Sequence, residues 1–248
     1  MFRLGLAATY RPGERAIEYA LDNGVGYLFG FAIDTQLTRV VRGMNADRRE
    51  RVTLATGGYN WVVGRTSLRR SLENALRRYR TDYIDVFHFL GVLRPKECPA
   101  AVFDEMNALK AEGKVRSTAV STHDLRFAGE VSGLVDAVMV RYNAAHRGAE
   151  QLVFPNASRV IAYTATRWGR LLVRPRGWPA EEPVATAGQC YRFVLSSPAV
   201  DVVLTAPRNE DELRENIHEA LRGPLDEDEL AFMRRFGDCV ERRAGWFM

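Results

Sequence analysis

The sequence predicts an α/β protein built as a closed (β/α)8 TIM barrel, in which eight parallel strands alternate with helices. Short apolar runs alternate with amphipathic helical patterns along the 248 residues, as parallel βα units require. The first strand lacks the G-x-G-x-x-G of an open dinucleotide-binding sheet, because that position reads Gly5-Leu6-Ala7-Ala8. No Pro- or Gly-rich linker divides the chain. We therefore expect one domain over residues 1–248.

Eight strands are predicted, and each precedes a helical pattern. The strands are Arg3–Ala7, Gly26–Phe29, Val52–Thr56, Ile84–Leu90, Arg116–Ser121, Ala137–Arg141, Arg159–Tyr163 and Val200–Leu204. The helices are Pro12–Asn23, Gln36–Met44, Ser67–Tyr79, Ala100–Glu112, short ones after Leu125 and Gly148, Ala185–Ser196, Asn209–Leu221 and Asp226–Arg242.

Periodicity and stop signals justify these elements. The first helix has an apolar stripe around Ile17 and ends at Asn23-Gly24, and the fourth ends at Gly113. Leu68, Leu72 and Leu76 recur at helical spacing in the third helix. Strand four is almost continuously apolar, as a strand buried on both faces is.

Composition excludes several classes of function. The net charge is +4 and the pI is about 9.1, but the arginines are spread along the chain without an aromatic-studded basic stripe, so we expect no nucleic-acid partner. No apolar run approaches the roughly 20 residues of a membrane span, and we expect no membrane partner. Cys98, Cys190 and Cys239 are scattered, which indicates neither a disulfide framework nor a metal site. A cytoplasmic location is the expectation.

Six segments, in order, resemble parts of the aldo-keto reductases. They are residues 20–27 (ALDNGVGY), 77–86 (RRYRTDYIDV), 112–121 (EGKVRSTAVS), 141–150 (RYNAAHRGAE), 162–165 (AYTA) and the pair Glu215-Asn216. The resemblance implies a (β/α)8 barrel that transfers hydride from NADPH to a carbonyl compound. In that family a tyrosine donates the proton, assisted by a lysine, a histidine and an aspartate.

None of those four catalytic residues is in place here. Alignment on Gly24-Val25-Gly26-Tyr27 puts Phe29 at the aspartate position and Asp34 at the tyrosine position. Gly57 falls at the lysine position and Leu90 at the histidine position. Lysine occurs only at 96, 110 and 114, so no small shift of register restores it.

The resemblance implies a better-preserved dinucleotide site for NADP. The residues that match or replace its contacts are Ser121, Thr122, Arg141, Tyr163, Arg208, Glu215 and Asn216. Tyr163 corresponds to the aromatic that stacks on nicotinamide, and Arg208 to the basic residue at the 2′-phosphate. Arg141 replaces a neutral glutamine, and Pro207 removes one NH donor before helix eight.

The candidate catalytic residues allow more than one interpretation. His88 shares strand parity with Leu90, so it is either a hydrogen-bonded core residue or a relocated catalytic histidine. Asp34 is either the N-cap of helix two or an ionised group acting as a base, unless burial raises its pKa enough for it to donate a proton. Tyr59 is a possible replacement acid.

Further candidates lie in loops at the carboxyl ends of the strands, where barrel enzymes place their sites. His123, His146 and Arg147 are ligand contacts or plain loop residues. Trp61 and Trp168 either line a pocket or cap the barrel as packing residues. The segment 167–170 (RWGR) binds an anionic substrate or is simply solvated.

Three functions follow from these residues. The first is an NADP(H)-dependent oxidoreductase of a carbonyl or alcohol compound with an atypical proton donor, namely His88, Tyr59 or protonated Asp34. The second is a non-redox enzyme with Asp34 as general base. The third is a pseudoenzyme that binds NADP(H) or another ligand. In each enzyme the expected partner is a small molecule, with an anionic one as a candidate.

Overall fold

The computed structural model describes residues 2–60 and 67–242, and these form a closed parallel barrel in the order β1 to β8. The predicted (β/α)8 fold is confirmed. The strands are β1 (Leu4–Ala7), β2 (Tyr27–Phe29), β3 (Thr53–Tyr59), β4 (Ile84–Val92), β5 (Val115–Thr122), β6 (Ala137–Arg141), β7 (Val160–Tyr163) and β8 (Val202–Thr205).

Helices surround the barrel in the connections between strands, and two more follow the last strand. The described α-helices are α1 (Glu14–Asp22), α2 (Thr35–Gly43), α3 (Ala46–Glu50), α4 (Leu68–Tyr79), α5 (Ala100–Ala111), α6 (Leu125–Val131), α7 (Ala149–Leu152), α8 (Ala187–Leu195), α9 (Glu210–Leu221) and α10 (Glu227–Arg242). Short 3-10 turns span Pro95–Glu97 and Arg170–Leu172. None of the described helices combines the length and apolarity needed to cross a bilayer.

Strand β3 is longer than the sequence pattern predicts, because its glycines pair rather than turn. The prediction ended this strand at Thr56, but Gly57, Gly58 and Tyr59 continue the ladder opposite His88, Phe89 and Leu90 of β4. The extension carries the Tyr59 ring to the barrel mouth. Helix α3 is also absent from the prediction, since its sequence ADRRE has no apolar stripe.

Two apolar layers hold the fold together. The larger lies between strands and helices. The smaller fills the barrel interior and includes Tyr27, Phe29, Val86, Leu90 and Met139. Burying one such side chain stabilises the fold by roughly 1.5–3 kcal/mol.

An ion cluster fastens α3 to the barrel near the amino-terminal ends of the strands. The Asp85 carboxylate lies 2.8 Å from Arg49 Nη1 and 3.1 Å from Arg116 Nη1, and it accepts the amide hydrogen of Leu54 at 3.0 Å. Both guanidinium groups also lie over the ring of Tyr83. This end of the molecule is thus built for rigidity, which leaves the opposite end for binding.

Candidate active site at the barrel mouth

A cavity of about 720 Å³ opens at the carboxyl ends of the strands. That volume lies in the range that small-molecule and cofactor sites occupy. Its lining comes from the ends of the strands, from the loops that follow them, and from α8 and α9.

The wall formed by β2, β3 and β4 is mostly apolar. Phe29, Phe31, Tyr59 and Leu90 line it. Phe29 and Phe31 meet edge to face with ring centroids 4.9 Å apart, and Phe31 stacks on Tyr59 at 6.0 Å. Because Tyr59 is the one residue of the four with a titratable group, this wall offers a single phenol and no carboxylate.

Burial, followed by the nearby Asp34 carboxylate, raises the pKa of Tyr59 above its ordinary value of 10. The phenol therefore remains protonated at neutral pH. The same shift makes it a weaker acid, which limits how fast it releases its proton.

The wall formed by β5 to β8 is polar. Ser121, His123 and Tyr163 line it near the strand ends, and Arg208, Glu212, Glu215 and Asn216 line it at the start of α9. Five of the residues that the sequence analysis assigns to NADP thus face one cavity, namely Ser121, Tyr163, Arg208, Glu215 and Asn216.

Thr122 and Arg141 do not line the cavity. Thr122 is fully buried, and its hydroxyl accepts the amide hydrogen of Asp124 at 3.0 Å. Arg141 lies behind the wall, with its guanidinium 4.8 Å from the ring centre of Trp168 and Nη2 3.4 Å from Nε2 of His123.

Groups at the start of α9 are already engaged with one another. The Asn209 side chain caps the helix by accepting from the amide of Glu212, whose Oε2 in turn accepts from the amide of Arg208. The side-chain amide of Asn216 donates from Nδ2 to Thr205 Oγ1 at 3.0 Å. Arg208 is the cationic side chain that lines the cavity here.

Gly57, which the sequence analysis aligns with the family's lysine, leaves no room for a side chain. A Cβ at this position would overlap the carbonyl oxygen of His88 and lie 2.9 Å from Leu90 Cδ1. The backbone oxygen cannot give way without shifting β4. The three lysines lie elsewhere, with Lys110 and Lys114 in surface ion pairs and Lys96 in the turn after β4.

Asp34 turns away from the cavity. Its carboxylate accepts the amide hydrogen of Phe31 at 2.8 Å, and only 2% of the residue is exposed. It occupies the N-cap position of α2, as one reading of the sequence expects, but its side chain does not bond to that helix. Burial raises its pKa, against the lowering effects of the Phe31 amide and Arg78.

His88 lies beneath the cavity floor, inside the barrel. It is fully buried, its Nε2 is 3.4 Å from the hydroxyl of Tyr27, and its ring meets Phe29 edge to face. Burial lowers its pKa to about 3, so it is neutral. It does not line the cavity, and the placement therefore favours Tyr59 over His88 and Asp34 as the donor.

Most of the remaining candidates lie in the loops after β6 and β7, and only some of them line the cavity. Arg147 ties the β6 loop to α10 through Asp238. His146 does not line the cavity, and its main chain pairs with Asn143. Trp168 and Gly169 do line it. Trp61 lies outside the described residues.

The turn after β7 is conformationally strained. Thr164, Arg167 and Trp168 all have positive φ angles, between 52° and 59°. Such values are uncommon outside glycine and persist only where the surroundings hold them. This turn aims the Trp168 ring across the cavity wall toward Arg141.

Several lining residues have no specific assignment in the sequence analysis. Thr9, Tyr10 and Phe31 fall in the β1 and β2 loops, and Tyr191 comes from α8. The loop residues could be found only as members of their loops, because nothing in their local pattern distinguishes them. Tyr191 reads as an apolar position of an amphipathic helix.

The sequence profile of the Aldo/keto reductase family matches residues 14–172. The chain belongs to the aldo/keto reductase family. The matched range includes Phe29, Asp34, Gly57 and Leu90, the four residues that the sequence analysis aligns with the family's catalytic set.

This aldo/keto reductase resembles named relatives at low identity. It is 29% identical over 160 residues to the methylglyoxal reductase YeaE of Escherichia coli, across 64% of this chain and 52% of that protein. The match thus spans about half of the relative's length. A Klebsiella pneumoniae aldo/keto reductase solved with NADP and acetate superposes with a TM-score of 0.75 at 23% identity, covering 95% of this chain and 91% of that one.

A second solved structure, the holo form of AKR11C1 from Bacillus halodurans, gives a TM-score of 0.74 at 19% identity, covering 94% of this chain and 91% of that one. At these identities the superpositions establish the shared barrel alone.

Proposed function

We propose that this aldo/keto reductase is an oxidoreductase that interconverts a small carbonyl compound and its alcohol with NADP(H). One observation carries the proposal. Residues assigned to the dinucleotide from β5, β7 and α9 line the same cavity as Tyr59. A preserved binding wall opposite a phenol is the minimum that carbonyl reduction requires.

The residues that line the polar wall fit NADP(H). Tyr163 offers a ring face for the nicotinamide, and Ser121 offers a hydroxyl for its carboxamide. Arg208 provides a cation for the 2′-phosphate, while Glu215 and Asn216 lie where the adenine is expected. When bound, the cofactor supplies or accepts a hydride. The Klebsiella pneumoniae relative, solved with NADP and acetate, supports this assignment.

Tyr59 is the proposed proton donor. It reaches the cavity from β3, whereas Asp34 bonds to the Phe31 amide and His88 lies beneath Phe29. The phenol gives its proton to the carbonyl oxygen as the alcohol forms. Since no lysine lines the cavity to lower the pKa of Tyr59, we expect slow turnover compared with enzymes whose donor is tuned near neutral pH.

The substrate is a small aldehyde or ketone. The YeaE relative is a methylglyoxal reductase by name, which makes short dicarbonyl compounds the first class to test. Arg167 and Arg170 flank Trp168 and Gly169, which line the cavity, so anionic carbonyl compounds are the second class to test.

The test has two stages. Titration of NADPH fluorescence measures binding, and loss of NADPH absorbance with methylglyoxal and with neutral and anionic aldehydes measures turnover. Tyr59→Phe should lower turnover by about 10²–10⁴-fold while retaining NADPH binding. Tyr83→Phe is the matched control, because that ring lies at the opposite end of the barrel between Arg49 and Arg116. Equal turnover in Tyr59→Phe and wild type would refute the donor assignment.

A second candidate is a pseudoenzyme, a barrel that binds NADP(H) without turnover. The closed packing around Gly57 favours it, because that packing excludes the family's lysine. Tight NADPH binding with no oxidation across the whole aldehyde panel would select this alternative.

A further inference from the structure

His123 occupies a fixed position in the polar wall. It directly follows β5, and its amide donates to the carbonyl oxygen of Val92 at 3.2 Å, which ties the backbone to β4. Its ring centre is 6.3 Å from that of Tyr163, and both rings line the cavity. Any ligand that lies on the Tyr163 ring therefore lies beside His123.

The contact with Arg141 fixes which nitrogen of His123 carries the proton. Arg141 Nη2 lies 3.4 Å from His123 Nε2. A guanidinium group has donors and no acceptor, so Nε2 must present its lone pair. The proton of the neutral imidazole then resides on Nδ1, which has no hydrogen-bond partner among the described residues.

The charged groups around His123 keep the ring neutral. Burial lowers its pKa first, followed by the positive charges of Arg141 and His146, to a value of about 4. The neighbouring Asp124 carboxylate is directed to the start of α6, where it accepts from the amides of Arg126 and Phe127. The ring at neutral pH is therefore an uncharged donor with one available N–H group.

We infer that His123 donates a hydrogen bond from Nδ1 to a carbonyl oxygen bound beside Tyr163, either that of the substrate or that of the nicotinamide carboxamide. The inference rests on the proposed function, since both oxygens belong to its ligands. Leu90, at the position of the family's histidine, offers no donor, so His123 supplies one from the neighbouring strand. Arg141 is the positioning residue that orients it.

Imidazole nitrogen NMR tests the tautomer without any turnover. Long-range ¹⁵N–¹H spectra of the four histidines, with His123 assigned from its absence in His123→Gln, should show the Nδ1–H form and a pKa near 4. Arg141→Met should mix the tautomers and raise the pKa of His123, because a positive neighbour is removed. An Nε2–H form in the wild type, or titration near 6.5, overturns the inference.

NADPH affinity and turnover in variants of His123 then show which carbonyl oxygen accepts its hydrogen bond. His123→Phe should lower either NADPH affinity or kcat/KM by about 10- to 100-fold. His123→Gln keeps an uncharged N–H donor and should retain most of the wild-type affinity and kcat/KM. His218→Phe on the exposed face of α9 is the matched control. Loss of kcat/KM at unchanged NADPH affinity identifies the substrate carbonyl, whereas loss of NADPH affinity identifies the carboxamide.

Unchanged affinity and turnover in His123→Phe overturn the inference. If the wild type itself fails to bind NADPH, the proposed function fails and the inference falls with it, even where the spectra show the Nδ1–H form. The two failures are thus distinguishable.

Discussion

The two walls of the cavity differ in what they keep from the family. The wall from β5 to α9 retains polar and charged residues such as Ser121, Tyr163 and Arg208 at the expected positions. In the wall from β2 to β4, the positions that the sequence analysis aligns with the family's catalytic set hold Phe29, Gly57 and Leu90, which pack against one another or against His88. If the proposed roles hold, binding and proton transfer depend on separate strands, and the β2–β4 wall departs further from the family pattern than the β5–α9 wall does.

The largest expected effect tests how tightly the apolar wall is packed. Gly57→Ala should destabilise the protein by about 3 kcal/mol, because its Cβ overlaps the His88 carbonyl oxygen. For a chain of this size that lowers the melting temperature by roughly 6–12 °C. Gly43→Ala is the control, since no atom lies within 4 Å of a Cβ there. Equal melting temperatures would show that β3 and β4 separate easily and that a lysine is compatible with this wall.

An intermediate effect tests the polar wall. If Arg208 binds a 2′-phosphate, Arg208→Gln should weaken NADPH about tenfold relative to NADH, the equivalent of roughly 1.4 kcal/mol. Fluorescence titration of both cofactors gives the ratio. Arg222→Gln, just beyond the far end of α9 and paired with Glu219, should leave it unchanged. A ratio unaffected by Arg208→Gln would place the phosphate elsewhere.

The smallest effect is expected from Asp34, which lies behind the apolar wall. Its charge raises the pKa of Tyr59, so Asp34→Asn should lower that pKa and move the alkaline limb of the pH profile of kcat to lower pH, with turnover retained. A non-redox enzyme with Asp34 as general base behaves oppositely and loses about 10²–10⁴-fold. Measuring kcat against pH in both proteins decides between them.

The order of strands and helices could be predicted because apolar periodicity reports burial directly. The end of β3 could not be predicted, since two consecutive glycines, Gly57 and Gly58, are typical of a turn. Only their pairing with β4 shows that they continue the strand. Likewise, α3 depends on the Asn45 cap and on the ion pair between Arg49 and Asp85, which no local pattern reveals.

The predicted strand ends indicated which residues approach the mouth: Ser121 and Tyr163 at the ends of strands, and Tyr59 in the predicted loop after strand three. They did not predict orientation within the loops. The Asp34 carboxylate turns to the Phe31 amide because burial favours a local hydrogen bond. The state of His123 depends on Arg141, which arrives from a different strand.

The fit around Gly57 also constrains how the site changes by mutation. Shortening Leu90 removes one obstacle to a side chain at 57, but the carbonyl oxygen of His88 belongs to the backbone and stays whatever residue occupies position 88. We therefore expect that substitutions confined to these side chains make no room for a lysine at position 57 unless the β4 backbone also shifts. Engineered activity at this cavity therefore has to be built from groups that already line its mouth.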